Sequence, residues 1–74
     1  MKQVEIFKTN VNETAGANKV LMILGRKHPA YLANFDIEDE DHILRIESTT
    51  TQINSVEIET LLKSIGIYCK VLLD

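Results

Sequence analysis

A chain of 74 residues with 45% hydrophobic and 26% charged side chains is long enough for one domain with one core, and too short for a cleft between two domains. Its formal net charge of −3 is uneven: residues 1–34 carry five cations against two acids, and residues 35–74 carry three against nine. Phosphate backbones are bound by clustered Lys and Arg, so this balance predicts no nucleic-acid partner.

In chain order, residues 2–8 read as a first strand, because Val4 and Ile6 alternate with Gln3, Glu5 and Phe7. That phase predicts Val4 and Ile6 inward and Phe7 outward. Residues 9–13 are polar and read as a loop entering a helix. Over residues 14–27, Ala17, Val20, Leu21 and Leu24 follow the i, i+3, i+4, i+7 rule of an amphipathic helix. Arg26, Lys27 and His28 suit its C-terminal end, and Pro29 stops it.

Residues 31–38 form a second strand with Ala33, Phe35 and Ile37 on one face, and residues 42–48 a third with Leu44 and Ile46 inward and Arg45 and Glu47 outward. The acidic run Glu38-Asp39-Glu40-Asp41 between them reads as a hairpin turn. It lacks the alternating spacing and glycine of a calcium loop. Asn54 caps a second helix, with Glu57 at the third helical position and Ile53 and Ile58 spaced as a hydrophobic staple. Ile58, Leu61, Leu62 and Ile65 make its apolar stripe, and Gly66 ends it. Residues 67–73 form a last strand with Ile67, Cys69, Val71 and Leu73 on one side. The predicted core includes Val20, Leu24, Phe35, Leu44, Ile46, Ile58, Leu61 and Ile65.

The order βαββαβ predicts an α+β ferredoxin-like sandwich over residues 1–74, a four-stranded antiparallel sheet in the order 4-1-3-2 with two helices on one face. The other face has nothing left to cover it. RNA-recognition domains share this topology and stack bases on sheet aromatics, but strand three offers Ile43, Arg45 and Glu47 outward instead. Acylphosphatases share it too, and need an arginine in the loop after strand one. Residues 9–16 contain none, so no catalytic role is predicted.

The likeness goes further along the chain. The loop after strand one, the helix ending in His28-Pro29, the turn at Asp39-Glu40 and the segment from Ser55 to Val71 with Leu62, Ile65, Gly66 and Tyr68 together resemble the heavy-metal-associated domain of copper chaperones and metal-transporting ATPases. The resemblance implies this fold and, in that family, a Met-x-Cys-x-x-Cys loop that holds a soft metal. Here the equivalent stretch reads Val-Asn-Glu-Thr-Ala-Gly-Ala from Val11 to Ala17. With neither thiol present, the expectation is a metal-free relative with no cofactor. The alternative is metal binding or transport through unusual ligands, for which Asn10, Asn12 and Glu13 would form the loop. Asn10, Asn12 and Thr14 are also suited to capping the first helix.

Cys69, the sole cysteine, excludes an internal disulfide and by phase faces inward as a small apolar residue. His28 and His42 are expected at different ends of the molecule. Residues 1–8 carry Lys2, Glu5 and Lys8 and no signal-like apolar run, and no stretch approaches the ~20 apolar residues of a membrane span. A cytoplasmic location without membrane association is therefore expected. By strand phase, Phe7, Ile43, Tyr68 and Leu72 share the uncovered sheet face. They define a candidate interaction surface for a weak homodimer or another protein.

Overall fold

The computed structural model describes residues 2–72. Its elements are β1 (Gln3–Thr9), α1 (Thr14–Lys27), β2 (Leu32–Asp36), β3 (Ile43–Ser48), α2 (Ser55–Ser64) and β4 (Cys69–Val71). The strands form one antiparallel sheet in the order β2-β3-β1-β4, the expected ferredoxin-like layout. No helix among the described residues is long and apolar enough to cross a membrane.

Both helices pack on the same sheet face. Ala17, Val20 and Leu24 of α1 and Ile58 and Leu62 of α2 share one buried cluster with Phe7, Leu44 and Ile46 of the sheet. Phe35, Leu61 and Ile65, expected in the core, flank it partly buried. Leu62 is the fully buried member of the α2 stripe because it lies one turn, i+4, from Ile58 on the line facing the sheet.

The ends of α2 follow its local chemistry. The Asn54 carboxamide oxygen accepts from the Glu57 N–H at 3.1 Å. Ile53 and Ile58 are both buried, as the staple requires. The Glu57 carboxylate does not reach back to Asn54. It accepts from His28 Nε2 at 2.9 Å, tying the end of α1 to the start of α2. The Asn54 N–H turns to the Tyr31 hydroxyl, and the Tyr31 ring stacks on His28 with centroids 4.6 Å apart. Gly66 takes φ +82, the left-handed conformation that closes the helix without a Cβ clash.

The start of α1 differs from expectation. Glu13 is its N-cap and no side chain caps it. Val11 is buried and pins the loop, so Asn12 lies exposed at the surface. Asn10 instead accepts from the Tyr68 N–H at 3.1 Å, fastening the entry to β4. Strand β2 is shorter than residues 31–38 because the chain turns at Ile37, whose carbonyl accepts from His42 Nδ1 at 3.0 Å. β4 likewise spans only Cys69–Val71. Leu73, expected on its inward side, lies outside the described residues.

Candidate functional site

The sheet register defines the uncovered face. Val4 and Ile6 of β1 lie opposite Glu47 and Arg45 of β3, and Lys8 lies opposite Lys70 of β4. The Leu72 N–H donates to the Ile6 carbonyl at 2.8 Å, which sets Leu72 beside Ile6. On the far side, Glu47, Arg45 and Ile43 face Leu32, Asn34 and Asp36 of edge strand β2. The open face thus has an apolar stripe of Val4, Ile6 and Leu72 along β1 and β4. Ile43 stands one pleat away, partly buried, and charged side chains surround the stripe.

This corrects the phase expected for β1. Phe7 is 0% exposed and belongs to the core, so it is no part of an interaction face. Val4, expected inside, is 41% exposed. The physical reason lies across the sheet. Phe7 pairs with Leu44 on one side and Val71 on the other, beneath both helices, where a large ring fills the most volume. Gln3 and Thr9, two polar residues that share its phase, sit at the strand ends and bond to backbone. Gln3 Oε1 accepts from the Ile53 N–H at 3.0 Å. The Thr9 hydroxyl donates to the His42 carbonyl at 2.6 Å and accepts from the Val11 N–H at 3.1 Å. The sequence did hold a signal for this phase: the alternative buries both Lys2 and Lys8, which is far costlier than placing Glu5 partly inside.

The other proposed face residues divide. Leu72 is 38% exposed and joins the stripe. Tyr68 is 51% exposed but sits beyond Lys70, at the strand's entry, apart from the stripe. Val4 and Ile6 take the place given to Phe7.

Cys69 faces the helices opposite Thr9 and is partly buried. Burial pushes its thiol up to about 12, and the neighbouring Glu59 carboxylate adds to the rise. Glu59 is itself engaged, its Oε2 accepting from the Val71 N–H at 2.8 Å. That bond also caps a donor on edge strand β4. Cys69, Glu59, Lys63, Tyr68 and Asn10 line an open cleft of about 590 Å³ between α2 and β4. A thiol held protonated there is a poor nucleophile and a poor soft-metal ligand. Iodoacetamide should therefore modify native Cys69 at least about a hundredfold more slowly than the urea-unfolded chain. Equal rates would mean the thiol is free and ordinary.

The acidic turn and both histidines make local structural contacts. The Asp39 carboxylate accepts from the Asp41 N–H at 2.8 Å inside the acidic turn, and His42 closes it at φ 48. His42 stands at the Thr9 end of the sheet. His28 stands at the opposite end, near Tyr31, whose hydroxyl donates to the Gln52 carbonyl. Among the described residues, no three His, Cys, Asp or Glu side chains are grouped so as to hold a metal ion. Asn10, Asn12 and Glu13 are not brought together as a ligand set: Asn10 accepts from the Tyr68 N–H just before β4, while Asn12 and Glu13 lie exposed in solvent.

Comparison with known proteins finds no matching family model, no matching curated protein and no matching solved structure.

Proposed function

We propose that this domain is a non-enzymatic protein-interaction module that docks through its open sheet face, on a fold akin to a heavy-metal-associated domain without the metal ligands. One observation carries the reading: Val4, Ile6 and Leu72 adjoin on a face that neither helix covers. Contiguous exposed aliphatics of this kind mark interaction surfaces more often than isolated ones do. The stripe is small, and association carries entropic costs of several kcal/mol, so the binding is transient rather than obligate. The alternative, a metal carrier with unusual ligands, gains nothing from a protonated Cys69 or from the dispersed Asn10, Asn12 and Glu13.

The test is selection of binding peptides from a random displayed library, followed by mapping of amide shifts on the labelled domain. Shifts should centre on Val4, Ile6, Ile43 and Leu72. Ile6→Asn with Leu72→Asn should weaken binding at least about tenfold and lower the melting temperature far less than Phe7→Ala does, since Ile6 is only partly buried and Leu72 is exposed. Binding that maps to the cleft beside Cys69 instead would remove the proposal.

A further inference from the structure

Resting on that reading, we infer that the occupant of the open face is an acidic protein segment, one that sets aliphatic side chains on Val4, Ile6 and Leu72 and carboxylates over Lys8 and Lys70. The charge distribution points to it. Among the described residues, the face carries the cations Lys2, Lys8, Arg45 and Lys70 against the carboxylates Asp36 and Glu47 and, reaching Lys8 from the hairpin turn at its edge, Asp41, which leaves one positive charge in excess. A net positive face on a chain of net charge −3 means that the acids are concentrated elsewhere.

The pairing within the face sharpens this. Glu47 serves both Lys2, at 3.5 Å, and Arg45, at 2.9 Å. Lys8 reaches Asp41 in the hairpin turn, at 3.4 Å. Lys70 has no carboxylate partner among the described residues, and it stands directly opposite Lys8. Like charges opposite one another across a strand pair repel. A partner that brings carboxylates removes that repulsion as it covers the aliphatic stripe, and it is steered to the face over a distance set by ionic strength.

A second copy fits less well. In a two-fold face-to-face pair each copy presents the same surface, so a net positive face meets a net positive face. Nucleic acid also fits less well, because the stripe is aliphatic and Phe7, which could have stacked a base, is in the core.

The composition and salt response of the selected peptides decide the matter. The expected result is enrichment in Asp and Glu beside Leu, Ile or Val, with binding that weakens as salt rises. Lys8→Glu with Lys70→Glu should lower affinity at least about tenfold. Lys19→Glu with Lys63→Glu makes the same charge change at exposed helix positions and should shift affinity by less than about twofold. Peptides that bind the face without acidic enrichment, or equal losses in the two charge-reversed variants, overturn the inference and leave the docking reading standing. So does poly(U) RNA that displaces the peptides from the face, or concentration-dependent dimerisation in sedimentation that Ile6→Asn with Leu72→Asn abolishes. If no selected peptide binds at this face, the docking reading itself falls.

Discussion

Phe7→Ala should destabilise the domain by about 3–5 kcal/mol, the usual cost of removing a buried aromatic ring. Phe7 is 0% exposed and lies between Leu44 and Val71 beneath both helices, so its loss leaves a cavity that the sheet cannot close without breaking register. Small domains have a total stability of about 5–15 kcal/mol, so the variant should be partly unfolded at moderate temperature. Ile6→Ala, one residue away on the open face, should cost clearly less, because its side chain is only partly buried and its loss leaves no enclosed cavity. Urea denaturation of the two variants side by side measures the difference. If they are equally stable, β1 presents the opposite face to the helices and the open-face stripe dissolves with it.

Leu62→Ala is expected to cost about 2–5 kcal/mol, and Leu61→Ala clearly less. The two residues are neighbours in α2 and belong to one apolar stripe, yet Leu62 is 0% exposed and Leu61 only partly buried. Successive helical positions are about 100° apart, so only one of them can lie on the line through Ile58 that faces the sheet. The comparison is informative because propensity cancels: both changes replace Leu by Ala in the same helix. A larger loss at Leu61 would mean that α2 is rotated by about a quarter turn from the orientation that buries Leu62.

Several elements follow from local chemistry alone. Helix α1 spans Thr14–Lys27, as the spacing of Ala17, Val20 and Leu24 and the stop at Pro29 predict. Asn54, Ile53 and Gly66 mark the ends of α2 because a cap, a staple and a left-handed residue are all met within a few positions. The acidic turn and the inward phase of β3, with Leu44 and Ile46 buried, were equally legible. From those elements and the handedness of βαβ connections the sheet order follows. Apolar alternation alone misreads the face of β1, since Val4 and Ile6 outnumber Phe7, although Lys2 and Lys8 on their phase speak against burying it. The pairing of Phe7 with Leu44 and Val71 under the helices settles the face, by volume. The work of Asn10 likewise depends on contacts distant in sequence. An amide suited to capping α1 instead bonds the Tyr68 N–H, because Val11 is drawn into the core and β4 arrives alongside. Local signals specify where the chain turns and coils. Which side of a half-apolar strand is buried depends on partners far away in sequence, and so does the composition of the surface left open to a partner.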